Sequence, residues 1–289
     1  MSGTGGPVGC GHVTADASRA DLDLALLLAD RADEVTAAGF RRADLPIETK
    51  PDLTPVTEAD LAAEEVIRAE VAKARPDDAV LGEEHGTSGS GRRRWIVDPI
   101  DGTKSYVRGL PAWATLIALE VDGVQTVGVA SAPALGRRWW AGRGLGAFAG
   151  VPGSQGAPIR ASAVSDLSDA QLSGSTLCNW EPHGGVGRVL ALAMRCWRDR
   201  SFGDFWSHVL VAEGACDIGL DPIANLWDLA ALQVIVEEAG GRFTDLGGVA
   251  RPDGGSAVST NGLLHDQVLG LLTGNAGLSV PAGGLRSGG

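Results

Sequence analysis

The sequence predicts an α/β protein of the α+β kind, with an antiparallel sheet in its first part and alternating α/β layers in its second. Three observations predict it. Apolar residues recur at helical spacing in two early segments, two β-rich runs flank the dipeptide Asp122-Gly123, and beyond residue 185 helical and strand-like runs alternate. The composition agrees with a folded core: 44% of the 289 residues are hydrophobic and 21% charged, which argues against extended disorder.

Taken in order, residues 1–17 are rich in Gly, Ser and Thr without periodicity and read as a flexible tail, as do residues 274–289. Between them lies one folded domain, residues 18–273, in two lobes of about 18–165 and 166–273. Ser18 is a plausible N-cap for a helix over 19–38, whose apolar stripe is Leu22, Ala25, Leu26, Ala29 and Ala32. Thr57 and Asp60 form a capping-box pattern for a second helix over 57–74, which stops before Pro76. The short apolar runs Ala79 to Leu81 and Trp95 to Val97 end in acids, as buried strands delivering carboxylates to a cleft would. Asp122-Gly123 suits a tight hairpin turn between two strands within 113–131. Further strands are expected near 137–141, 158–164 and 170–175, with the glycine-rich stretches 86–91, 142–156 and 183–187 as loops. The second part then reads as a helix around 186–197, a strand near 201–203, a helix near 205–213, a strand near 216–220 and a helix from about 225 to 239.

Charge and cysteine usage exclude several functions. Acidic residues outnumber basic ones by 36 to 24, a net charge of −12, which opposes a broad nucleic-acid or anionic-membrane footprint. Cys10, Cys178, Cys196 and Cys216 form no Cys-x-x-Cys pair, so neither a thiolate zinc site nor a redox dithiol is signalled. Met1 to Gly11 lacks the basic and apolar regions of a signal peptide, and no run approaches a membrane span, so a cytoplasmic protein is expected. His12, His85, His183, His208 and His265 form no ligand-like cluster, and no G-x-S-x-G elbow is present.

What remains is a constellation of carboxylates. Gly82-Glu83-Glu84 and Trp95 through Thr103 place Glu83, Glu84, Asp98 and Asp101 at two predicted strand ends. Clustered acids repel unless a cation sits among them, and Mg²⁺ takes oxygen ligands while keeping places for substrate oxygens. Asp98 and Asp101 would face opposite ways along a regular strand, so a turn at Pro99 is needed to bring them together. Gly102 and Thr103 would then offer backbone N–H groups to a phosphate oxygen, which needs no basic patch.

The motifs GEE at 82–84, WIVDPIDGT at 95–103 and WDLAA at 227–231 resemble the signatures of the inositol monophosphatase family. TPVTEAD at 54–60 and EEAGG at 237–241 extend the resemblance to about residues 20–272. The resemblance implies the layered αβαβα fold of sugar phosphatases and a phosphomonoesterase using two or three Mg²⁺ ions per site, in which metal-activated water attacks directly. It implies Glu83, Asp98, the Ile100 carbonyl, Asp101 and Asp228 as metal ligands, with Asp98 bridging. Asp60 and Thr103 match the hydrogen-bonded pair that helps to orient and deprotonate the water, Glu83 is also implied as catalytic, and Asp60 can cap the helix as its sole role or alongside this one. Gly102, Thr103 and Lys50 correspond to phosphate contacts, Lys50 having a surface role as its alternative.

The leaving-group pocket corresponds to Asp221 to Leu226, Arg200 to Asp204 and Lys104 to Trp113. DGTKSYVRGLPAWATLIAL at 101–119 and LDPIANLWDLAALQ at 220–233 resemble the actinobacterial histidinol-phosphatases within the family. Asp204 and Asp221, with Arg200 beside them, would suit a cationic amino alcohol carrying an imidazole, although Asp204 is equally placed to be an N-cap. The resemblance thus implies a histidinol-phosphate phosphatase of histidine biosynthesis, with an inositol-1-phosphate phosphatase of broad specificity as the alternative. The substrate is a small phosphate ester, with neither nucleic acid nor membrane as partner, and family likeness implies a homodimer. Two departures stand out: Ser105 replaces the usual Asn after DGT-x, and His208 stands where relatives carry an aromatic.

Overall fold

A computed structural model describes residues 17–42, 46–49, 55–183 and 185–274 of the chain. Helix α1 (Arg19–Gly39) begins at Ser18, whose Oγ accepts the Asp21 amide at 3.1 Å, and buries Leu22, Ala25, Leu28, Ala29 and Ala32 along one stripe. Strands β1 (Ile47–Thr49) and β2 (Pro55–Thr57) pair antiparallel and lead into α2 (Glu58–Ala74), where Thr57 and Asp60 form the expected capping box. Then follow β3 (Ala79–Gly82), β4 (Gly86–Ser88), β5 (Arg93–Asp101), the short helix α3 (Thr103–Val107), β6 (Ala114–Val121) and β7 (Val124–Ala132). The β6–β7 turn has positive φ at both Asp122 and Gly123, as a two-residue hairpin requires. Strands β8 (Arg137–Gly142), β9 (Gly146–Gly150) and β10 (Ala157–Pro158) complete an eight-stranded sheet in the order β10-β9-β8-β7-β6-β5-β3-β4.

A second sheet gathers β11 (Gln171–Gly174), β12 (Arg198–Asp199), β13 (Ile218–Asp221), β14 (Arg242–Thr244) and β15 (Ala257–Thr260) in the order β12-β11-β13-β15-β14. Its helices are α4 (Val186–Ala193), α5 (Asp204–Ala212), α6 (Leu226–Glu238) and α7 (His265–Thr273), and a 3₁₀ segment spans Leu177–His183. Helices α1 and α2 cover one face of the first sheet, α5 and α6 lie between the sheets, and α4 and α7 cover the second sheet's outer face, giving five layers, αβαβα. Leu229 through Val236 of α6 are all buried, which is why this helix carries apolar residues on every side. Around it Leu116, Trp139, Phe205, Val209 and Phe243 form the core between the sheets.

Several expectations are corrected. The first sheet is mixed, because β4 pairs on the far side of β3 and the chain then crosses back, so that β5 runs parallel to β3 from Ala79↔Arg94 to Gly82↔Val97. The predicted strand over 158–164 pairs only at Ala157 and Pro158. Beyond Ile159 the chain passes between layers, held by the Ala161 amide on the Ala239 carbonyl at 2.9 Å and by Ser162 on Asp217. The glycine-rich stretch 142–156 contains β9, set against β8 with Trp140 opposite Phe148. Likewise β4 lies within the stretch 86–91. The strand near 201–203 is displaced to β12, since the bonds to β11 are made by the amides of Arg198 and Arg200, and helix α4 ends at Ala193. Strands β14 and β15 and helix α7 have no counterpart in the sequence reading.

Candidate active site

The parallel pairing of β3 and β5 places both C-terminal ends at one end of the sheet, and the acids follow from that. Glu83 comes immediately after β3, and its amide donates to the Val97 carbonyl at 3.1 Å, one residue before Asp98. Asp98 lies opposite Leu116 and Asp101 opposite Ala114, so three steps on β5 match two on β6. This bulge, not a turn, supplies the extra residue that puts two carboxylates three apart on one side of the strand. Proline suits the bulge because it has no N–H to place in the ladder, and the Pro99 carbonyl accepts the Thr115 hydroxyl at 2.8 Å. Gly102 then turns the chain with φ +86°, where a Cβ would meet the Ala112 carbonyl at 2.9 Å.

Asp228 arrives from the first turn of α6. One of its oxygens accepts the Asn225 amide at 2.6 Å, capping the helix. Carboxylate oxygens of Asp98, Asp101 and Asp228 lie within 4.8 Å of one another. Asp101 also accepts the Phe205 amide at 2.7 Å, which ties the first sheet to α5. Thr103 opens α3, its hydroxyl 2.9 Å from the Ile100 carbonyl and 3.4 Å from an oxygen of Asp60. The other Asp60 oxygen accepts the Thr57 amide at 2.8 Å and the Thr57 hydroxyl at 2.6 Å. Asp60 is therefore a helix cap through one oxygen and a partner of Thr103 through the other.

Burial pushes the Asp98 carboxyl well above the usual range, and the charges of Glu83, Asp101 and Asp228 push it the same way. Asp101 is raised by burial, then by Asp204 and Asp228. Asp221 is pushed up to about 7 and Asp228 to about 6, in both cases chiefly by burial. Such acids cannot all ionise side by side without a counter-charge. Asp98 Oδ1 is buried and lacks a hydrogen-bond partner. A hard divalent cation fits these residues: the donors are all oxygens, they converge, and one is buried and unsatisfied.

The acids line a cavity of about 500 Å³ that also takes in Ile100, Gly102, Thr103, Asp204 and Asp221. Asp204 is not the N-cap of α5. Gly203 holds that position, and Asp204 is the first helical residue with φ +47°, a left-handed conformation that costs a side-chain-bearing residue of order 1–3 kcal/mol and often marks a functional site. Burial raises its pKa, with Lys104 opposing the shift. Arg200 is not brought to the cavity: its amide joins the edge of the second sheet, bonding the Leu172 carbonyl at 2.9 Å, and its side chain is exposed. Lys50 lies outside the described residues. The sequence reading missed Ser175, Thr176 and Asn179, which line the cavity just beyond β11. The one available signal was a polar run at a strand end, and such runs are common. His208 is buried, 2.6 Å from the Ser259 hydroxyl and against Phe243, and Trp227 packs against the core.

Comparison with known proteins adds the following. The model of the inositol monophosphatase family matches residues 20–274. The chain is 58% identical to the histidinol-phosphatase of Mycobacterium tuberculosis over 87% of this chain and 97% of that one. It is 53% identical to the histidinol-phosphatase of Streptomyces coelicolor over 87% and 96%. Among solved structures, the IMPase of Thermotoga maritima superposes with a TM-score of 0.79 at 31% identity, covering 88% of this chain and 97% of that one.

Proposed function

The chain belongs to the inositol monophosphatase family, and from that premise we propose that it is a histidinol-phosphate phosphatase, converting L-histidinol phosphate and water to L-histidinol and phosphate in histidine biosynthesis. The observation that carries this reading is the likeness to two actinobacterial histidinol-phosphatases at 58% and 53% identity over nearly their whole length, against 31% for the Thermotoga maritima IMPase. The cavity supports it with its lining of acids: Glu83, Asp98, Asp101 and Asp228, joined by Asp221 and by Asp204, which lies beside Gly102.

Glu83, Asp98, the Ile100 carbonyl, Asp101 and Asp228 would hold two or three Mg²⁺ ions, and the buried Asp98 Oδ1, which has no hydrogen-bond partner, would be satisfied by a cation. The bound cations supply charge that offsets the phosphoryl oxygens and lower the pKa of bound water. Thr103, held between the Ile100 carbonyl and Asp60, orients the attacking water, and Asp60 accepts its proton through that hydroxyl. Gly102 and Thr103 face the phosphate. Asp204 and Asp221 receive the leaving group, where carboxylates pair with an ammonium better than they bond the hydroxyls of a neutral polyol. The same reading places a homodimer in the cytoplasm. Among the described residues no helix is long and apolar enough to cross a membrane.

The test is Mg²⁺-dependent phosphate release from L-histidinol phosphate and inositol 1-phosphate in parallel, with Asp98→Asn as control. A kcat/KM ratio of about tenfold or more for histidinol phosphate is expected, ~1.4 kcal/mol of discrimination. The reverse ratio overturns the substrate and leaves the metal chemistry standing.

A further inference from the structure

Behind the loop that carries Glu83 lies a fully buried carboxylate that no step above uses. Glu64, on the second turn of α2, is 0% exposed. One of its oxygens accepts the Glu84 amide at 2.8 Å, and the other accepts the His85 amide at 3.2 Å and Arg68 Nε at 2.7 Å. The His85 ring nitrogen Nδ1 stands 3.3 Å from that second oxygen. Arg68, one turn further along the helix, also reaches the Gly86 carbonyl and donates to the Ser88 hydroxyl at 2.7 Å. The peptide on the other side of Glu83 is fixed as well, since the Glu83 amide is bonded to the Val97 carbonyl. Gly82 leaves the room for this arrangement: a Cβ there would fall 2.1 Å from the Glu64 carboxylate. The glycine of the GEE motif is thus required by Glu64, not by its own dihedral angles.

We infer that Glu64 is a positioning residue for the metal centre: with Arg68 it clamps the backbone at Glu84 and His85, and so fixes the direction in which Glu83 presents its carboxylate to Asp98 and the cation. The inference rests on the metal-centre reading above. Both Glu64 oxygens are used as acceptors of fixed N–H groups, so an amide in its place points an N–H at a donor whichever way it is turned. Supports of this kind behind a ligand commonly alter metal affinity by about 10–100-fold when removed.

The experiment is calorimetric titration of Mg²⁺ into wild type, Glu64→Gln, Arg68→Met and Asp98→Asn, with circular dichroism reporting the fold, followed by kinetics across Mg²⁺ concentration. For Glu64→Gln the expected result is a folded protein that binds Mg²⁺ at least about tenfold more weakly. Its kcat should return toward the wild-type value at high Mg²⁺, and its KM for the ester at saturating Mg²⁺ should be unchanged. A variant that melts earlier yet binds Mg²⁺ as tightly as wild type overturns the inference and leaves Glu64 a purely structural residue. Should Glu64→Gln fail to fold, Arg68→Met carries the same two outcomes, because it keeps the carboxylate and removes its strap. Wild type that fails to bind Mg²⁺, or binds it no better than Asp98→Asn, sinks the metal-centre reading and the inference with it. Loss confined to Glu64→Gln and Arg68→Met, with no deficit in wild type, is support for the clamp.

Discussion

Asp98 shows most directly how function and stability oppose each other at a single side chain. It is buried among acids that raise its pKa, and its Oδ1 has no partner. Asp98→Asn should therefore stabilise the metal-free protein, by about 1–2 kcal/mol in urea unfolding. The same change should abolish Mg²⁺-dependent turnover and the stabilisation that Mg²⁺ confers. Asp204, strained at φ +47°, lines the same cavity beside Gly102. Asp204→Asn should lower kcat/KM for histidinol phosphate by about tenfold or more while changing that for inositol 1-phosphate by less than about threefold. Equal losses on both esters would remove it from the leaving-group pocket. The meeting of Asp98 and Asp101 was legible in one dense, local motif, whereas Asp228 joined them only through family likeness. Arg200, expected in the pocket from its place beside Ser201 to Asp204, is exposed and does not line the cavity. Ser175, Thr176 and Asn179 were invisible because only the layering of the second sheet brings them to the cleft.

The elements that deliver the site are stabilised by the residues that work in it. Thr57 caps α2 and at the same time holds Asp60 through two hydrogen bonds. Thr57→Ala should cost about 1 kcal/mol of stability, with a fall in kcat larger than that loss explains, since Asp60 would keep the amide of residue 57 but lose the hydroxyl that helps to fix it toward Thr103. Thermal melts and kinetics on the same preparation check both. Helix boundaries of α1, α2 and α6 came through well in the sequence, because caps, apolar spacing and a following proline or glycine act locally. Short strands did not: β4 and β9 are three and five residues long and glycine-rich, and only their partners make them strands. The bulge in β5 was likewise beyond the sequence, which required only that Asp98 and Asp101 be reunited and offered a turn as the means.

Across the whole molecule the five layers were expected from family likeness, whereas the parallel β3–β5 pair was not, since a strand pattern carries no direction. Stability should depend on pH through two buried imidazoles that do not line the cavity. Burial lowers both His208 and His265 to about 4. A histidine depressed in the folded state leaves stability intact above its unfolded value near ~6.5 and withdraws it as pH falls toward ~4, by up to about 3 kcal/mol each. Urea unfolding of Mg²⁺-loaded protein at pH 7 and pH 4.5 should show the loss, and His208→Gln should reduce the difference by the share His208 contributes, with His265 supplying the rest; an unchanged difference would exclude His208 as a source. The acids at the cavity span residues 83 to 228 and come from both sheets and the helices between them, so they meet only when chain closure is nearly complete. In kinetic terms, a folding transition state that precedes this closure has no assembled site for the cation. Mg²⁺ should accordingly slow unfolding in proportion to its binding energy while leaving the refolding rate where it was, so that the ion governs how long the finished molecule lasts and not how quickly it forms.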